Sequence, residues 1–218
     1  MQAKYGTQIW DPRQKDAVDF IETDFPVTAL ALSEAGSELY SGGIDNDIRV
    51  WDLRKKAVAY SLLGHTDTIS SLEISPDSQV LLSNSHDSTV RTWDIRPFAP
   101  ADRHIRTFDG APSGQDKNLI KASWDPQGQR IAAGSTDHSV VVWEAHSGKL
   151  LYKLPGHRGT VNDVRFSPRD EPICKLIIFF HSVPPHYEAI NARNNANAVN
   201  IVVSASTDRT LMVGELGK

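Results

Sequence analysis

The chain is built from short runs in which bulky apolar and polar positions alternate. In Ile48-Arg49-Val50-Trp51 and Val90-Arg91-Thr92-Trp93, bulky and polar residues alternate. That is the pattern of a strand with one face buried more than the other. A second set of runs, Ser37–Ser41, Gln79–Ser83, Arg130–Ala133 and Ile201–Ser204, precedes these strands in chain order. A third set, Val27–Leu32, Ile69–Ile74, Leu119–Trp124 and Val161–Phe166, lies further upstream. Turns follow this third set at Ser75-Pro76-Asp77, Asp125-Pro126-Gln127-Gly128 and Ser167-Pro168-Arg169-Asp170. No stretch sustains the 3.6-residue period of an amphipathic helix. The pattern predicts an all-β protein of short antiparallel strands.

The strands recur in a repeat. Trp10-Asp11, Trp51-Asp52, Trp93-Asp94 and Trp143-Glu144 fall 41, 42 and 50 residues apart. An aspartate (Asp45, Asp87, Asp137) stands six residues before three of these tryptophans, in a polar turn that opens a β-like run. The same turn returns at Thr207-Asp208-Arg209, but Gly214 occupies the tryptophan position. The most complete unit runs from Gly64 to Arg96, opening on Gly-His and closing on Trp-Asp-x-Arg. Units of about 40 residues with these marks resemble the blades of WD40 β-propellers, four strands to a blade. The expected fold class is therefore an all-β, partial WD40 β-propeller. It has about four blade units, at 16–56, 57–97, 98–144 and 145–216. Residues 1–15 read as the remnant of a preceding blade.

Two irregularities interrupt the repeat. The longer third spacing places a connection over 96–118, whose Pro, Gly and Asp content predicts an exposed loop. The second is 173–200, an insertion with an apolar start (Lys175 to Phe180) and an Asn/Ala-rich end. Either a lineage-specific loop or a translated intron would account for it.

Composition narrows the class. The chain has 218 residues, 39% hydrophobic and 23% charged, enough for a sizeable core. Its net charge of −4 supplies no basic footprint, so direct sequence-specific nucleic-acid binding is not expected. A single cysteine, Cys174, forbids an internal disulfide and fits a reducing compartment. No apolar run approaches the ~20 residues of a membrane helix, so no membrane role is expected.

Unit 57–97 contains His65, Ser83, Asp87 and Trp93. Serine, histidine and aspartate together also make hydrolase triads, but no nucleophile elbow or oxyanion-loop pattern accompanies them. The WD40 resemblance implies instead a structural tetrad, in which these four side chains share hydrogen bonds. The other units hold parts of it. They are Ser41, Asp45 and Trp51 with Thr23 at the histidine position, and Asp137 and Trp143 with Gln115 and Ala133 replacing histidine and serine. The last unit has His157, Ser204 and Asp208 without the tryptophan. The unit with the full set is expected to be the most rigid. No catalytic residue, cofactor or metal site is expected. Cys174, His181 and His186 lack the paired spacing of a zinc site.

Trp-Asp-x-Arg ends three units, at Arg13, Arg54 and Arg96. An arginine there either closes the strand in solvent or resembles the adaptor-docking arginine of cullin-4 ubiquitin-ligase substrate receptors. Closer matches lie in SGGIDNDIRVWDLR (41–54), LLSNSHDSTVRTWDIRPFAPADR (81–103), RIAAGSTDHSVVVW (130–143), LYKLPGH (151–157) and SASTDRTLMVGE (204–215). These resemble the C-terminal half of the WD-repeat subunits of the U5 small nuclear ribonucleoprotein, a seven-bladed family. The resemblance covers about 1–172 and 201–216, and it implies truncation at the N-terminus, with the remaining blades forming either an open arc with two raw edges or a strained four-blade closure. It also implies a non-catalytic scaffold in pre-mRNA splicing, in the nucleus. The implied partners are the large central scaffold protein of the spliceosome and other U5 components. The candidate partner-binding residues are Arg13, Arg54, Arg96, Pro97 and Phe98. The alternative is a substrate receptor of a cullin-4 ligase.

Overall fold

The computed structural model describes residues 5–115, 117–167, 200–208 and 210–216. The turn over 167–170 and the 173–200 insertion, with Cys174, His181 and His186, lie almost wholly outside these residues. Seventeen strands form five antiparallel sheets, and no helix occurs among the described residues. A two-stranded sheet comes first, made of β1 (Tyr5–Ile9) and β2 (Asp19–Thr23). The first four-stranded sheet is β3 (Val27–Leu32), β4 (Glu38–Gly43), β5 (Ile48–Asp52) and β6 (Ala57–Leu62). The second is β7 (Ile69–Ile74), β8 (Val80–Ser85), β9 (Val90–Asp94) and β10 (His104–Phe108). The third is β11 (Ala122–Trp124), β12 (Arg130–Gly134), β13 (Ser139–Glu144) and β14 (Leu150–Pro155). A three-stranded sheet follows, made of β15 (Val161–Phe166), β16 (Asn200–Ser206) and β17 (Leu211–Leu216).

The middle strands explain the packing. In β8, Leu81 joins the apolar cluster shared with the first sheet, while Leu82 joins the cluster shared with the third. In β12, Ile131 and Ala133 face the second sheet's cluster and Ala132 the last sheet's. Successive side chains on a strand point to opposite faces. A strand that is apolar at consecutive positions must therefore be covered on both sides, and neighbouring sheets supply the cover. They meet through their first strands, β3 and β4 on β7, β7 and β8 on β11, and β11 and β12 on β15. The described sheets form an arc that does not close into a ring.

The structure differs from the sequence expectation in three places. The 96–118 connection contains β10, which pairs with β9, and it buries Phe108, Ala111 and Ser113 to 5% exposure or less. It is only partly a loop, because its apolar side chains fill the space between the second and third sheets. Second, the strand expected over Leu119–Trp124 begins at Ala122, because the Lys121 amide bonds across to the Asn162 carbonyl at 2.8 Å instead. Third, the sheets are staggered against the sequence units. Unit 57–97 begins with β6, the outer strand of the first sheet, and ends with β9 of the second. Each such unit thus ties two sheets together covalently.

Leu81 is fully buried between two sheets. Leu81→Ala is expected to lower stability by about 2–5 kcal/mol through lost burial and a residual cavity, read as a shifted urea midpoint with an unchanged m-value. An exposed control such as Leu63→Ala, in a residue 66% exposed, should leave the midpoint nearly in place.

Candidate functional site

The repeated turn between the second and third strands of a sheet is built on its aspartate. Asn46, Ser88 and His138, each directly after that aspartate, adopt φ of 66°, 65° and 68°. This left-handed conformation is costly for residues with a side chain. The aspartate offsets the cost by accepting the amide two residues on. Thr89 donates to Asp87 at 2.9 Å, Ser139 to Asp137 at 3.3 Å and Thr210 to Asp208 at 2.9 Å. A serine two residues before the aspartate accepts the aspartate's own amide, at Ser85, Ser135 and Ser206. The Thr89, Ser139 and Thr210 hydroxyls also donate to the carboxylate. These hydroxyls were not singled out in the sequence, although the spacing Ser-x-Asp-x-Ser/Thr occurs three times.

In the second sheet the turn is wired to the core. His65 Nδ1 lies 2.8 Å from the Asp87 carboxylate and Nε2 lies 2.7 Å from Ser83 Oγ, which accepts the Trp93 indole N–H at 2.8 Å. A carboxylate can only accept, so His65 donates from Nδ1 and Nε2 accepts the serine proton. The relay runs from indole to hydroxyl to neutral imidazole to carboxylate. Burial holds the His65 imidazolium form down despite the attraction of Asp87. Burial alone would raise Asp87, but hydrogen bonds from His65 and Thr89 outweigh it and hold the carboxyl well below the usual range. Gly64 opens this unit because its backbone φ is 153° and a Cβ would meet the Trp93 ring at 3.1 Å.

The other sheets satisfy the aspartate differently. In the last sheet, His157 Nε2 meets Ser204 at 2.8 Å, and Nδ1 lies 3.3 Å from Asp208. Gly214 pairs with Val202 in register, as Trp93 pairs with Leu81, so it stands at the tryptophan position. In the first sheet Trp51 donates to Ser41 at 2.8 Å, while Thr23 caps the Phe25 carbonyl and does not reach Asp45. There the Arg49 guanidinium pairs with Asp45 at 2.8 Å. In the third sheet Trp143 donates to the Asp109 carbonyl at 2.9 Å, and Gln115 is exposed. Lys153 pairs with Asp137 at 2.5 Å. Against the pull of burial, Lys153 and Ser139 bring the Asp137 carboxyl down to about 2. Where histidine is missing, a cation from a neighbouring strand neutralises the turn.

None of these arrays presents a nucleophile. Ser83 is 0% exposed, and its oxygen is shared between indole and imidazole. The Trp-Asp-x-Arg endings differ from one another. Arg13 and Arg96 fold back on Asp11 and Asp94 of their own motifs, each through two guanidinium nitrogens. Arg54 only donates its backbone amide to Asp52. Arg103 bonds the Asp94 and Arg96 carbonyls, both at 3.0 Å, and sits 4.1 Å over the Tyr60 ring. It thereby staples the turn after β9 to the first sheet. Pro97 is exposed, and Phe98 is 99% exposed.

Serial four-stranded meanders packed face to face, with buried turn-to-core relays, define a propeller-type repeat protein. The WD domain, G-beta repeat model matches residues 19–52, 57–94, 102–144 and 148–172. The chain belongs to the WD40 repeat family. It is 41% identical over 96% of its length to "Pre-mRNA-splicing factor cwf17" of Schizosaccharomyces pombe, covering 53% of that protein. It is 42% identical to the "U5 small nuclear ribonucleoprotein 40 kDa protein" of Dictyostelium discoideum, over 97% of this chain and 52% of that one. The human protein of the same name is 40% identical over 96% of this chain and 50% of its own length. The chain thus spans about half the length of these curated relatives. Among solved structures, the computationally designed Ika4 protein superposes with a TM-score of 0.64 at 22% identity, over 89% of this chain and 94% of that one. That likeness is one of fold.

Ser83→Ala is expected to cost about 1–3 kcal/mol, because it strands buried indole and imidazole groups. Ser41→Ala, which loses one indole partner, should cost less, and urea melts of the two variants compare them directly. The pH dependence follows from the shifts. With its folded pKa below the unfolded value of ~6.5, His65 stabilises fully above that pH and progressively less as pH falls through it. Asp87, also lowered, stabilises above ~3.9 and loses that contribution on further acidification. Melts of His65→Gln should therefore show a flatter stability profile than wild type between about pH 6.5 and 5.

Proposed function

We propose that this chain acts as a non-catalytic protein-interaction scaffold of the U5 small nuclear ribonucleoprotein in pre-mRNA splicing, in the nucleus. The observation that carries this reading is the 40–42% identity, over nearly the whole chain, to proteins named as U5 components and as a splicing factor. The physical chemistry agrees with a scaffold. The Ser-His-Asp array is consumed in bracing a turn, and the rim bears exposed side chains free of packing duty, Phe98 foremost. The partners on this reading are the large central scaffold protein of the spliceosome and other U5 proteins, reached through protein contacts. The net charge of −4 argues against a nucleic-acid backbone as the main partner. A cullin-4 receptor role through the Trp-Asp-x-Arg arginines draws less support, since Arg13 and Arg96 are already committed to their own aspartates.

Affinity capture from nuclear extract with the tagged chain tests the proposal. Enrichment of U5 proteins over a tagged unrelated WD40 control is the expected outcome. Recovery of the cullin-4 adaptor, lost on Arg54→Ala/Arg96→Ala, would overturn it.

A further inference from the structure

The rim between the first and second sheets holds a groove bordered by Pro97 of the candidate partner-binding loop. Its volume is about 490 Å³, within the usual range for ligand sites. The floor is apolar, formed by Tyr40, Ile74, Ile95 and Pro97. One wall carries Glu34, from the turn between β3 and β4, and Glu38, the first residue of β4. Glu38 accepts the Tyr40 hydroxyl at 2.7 Å, and Glu34 accepts the Ser78 hydroxyl at 3.0 Å. Neither carboxylate forms an ion pair among the described residues. The cations of the adjoining turn are engaged elsewhere, Arg96 on Asp94 and Arg103 on two carbonyls and the Tyr60 ring. Phe98, directly after Pro97, stands 99% exposed.

The geometry points to this groove as a docking site for an extended peptide segment of a partner protein, one that presents a lysine or arginine beside a bulky apolar residue. Two uncompensated carboxylates on one wall attract a cation and disfavour an acidic segment. An apolar floor of four side chains takes the neighbouring apolar residue. Phe98, next in sequence to the lining Pro97, offers an exposed ring face that can add a cation–π contact to the same segment. The groove straddles two sheets that the Ser78–Glu34 hydrogen bond and the Arg103 staple already link, so a bound segment would add a further bridge between them. This inference deepens the scaffold reading by assigning a peptide class to one surface, and it rests on that reading only for the identity of the partner.

The test is selection of a displayed library of random ten-residue peptides on the full chain, with counter-selection on Glu34→Lys/Glu38→Lys. The expected result is a consensus with Lys or Arg next to a large apolar residue. Synthetic consensus peptide, followed by fluorescence anisotropy, should bind the double variant at least tenfold more weakly. Phe98→Ala, a fully exposed change that leaves the fold intact, should weaken it several-fold. Thermal melts of each variant confirm folding. An acidic consensus, no consensus, or a consensus peptide that binds wild type and both variants alike would overturn the inference. Failure of the U5 capture alongside a basic consensus would remove the splicing reading and leave the groove standing.

Discussion

The second strand of each four-stranded sheet is apolar on both faces, and that constraint organises the described part of the molecule. A sheet containing Leu81 and Leu82, or Ile131 and Ala132, exposes oil on two sides when it stands alone. Stacking one sheet on the next buries both. The stagger between sequence unit and sheet strengthens the arrangement. A unit that supplies the outer strand of one sheet and the inner strands of the next cannot fold without engaging both.

Stacking leaves polar backbone and turn groups inside, and these must find partners. The turn aspartate meets this need locally by bonding the left-handed residue's successor. The relay through His65 and Ser83 to Trp93 then couples that turn to the core on which the neighbouring sheets pack. Residues that could serve hydrolysis in another setting here spend their donors and acceptors on one another. The rim, where turns between strands protrude, carries the exposed side chains. There the charges of Arg13 and Arg96 are closed off by their own aspartates, while Glu34, Glu38 and Phe98 remain available.

Much of this was legible along the chain. Alternation located three strands of nearly every sheet, and the Trp-Asp spacing revealed the repeat. The fourth strands, β6, β10 and β14, do not follow from the repeat marks, because they lie outside the stretch from turn aspartate to tryptophan that carries those marks. β10 was further hidden within a segment rich in proline, glycine and aspartate. The substitutes for histidine were also silent. Arg49 and Lys153 look like ordinary surface cations until the fold sets them beside Asp45 and Asp137.

The sequence by itself determined the all-β class, the repeating unit and the residues of the most complete relay, because strand period, turn chemistry and spacing are local properties. Only the tertiary structure decided which sheet each strand joins, how each turn aspartate is neutralised, and which rim charges are already spent. These depend on side chains brought together from separate strands, such as Lys153 and Asp137 or Arg103 and Tyr60. No local pattern records which cation will lie within reach of which carboxylate, since that is set by how neighbouring strands and sheets pack.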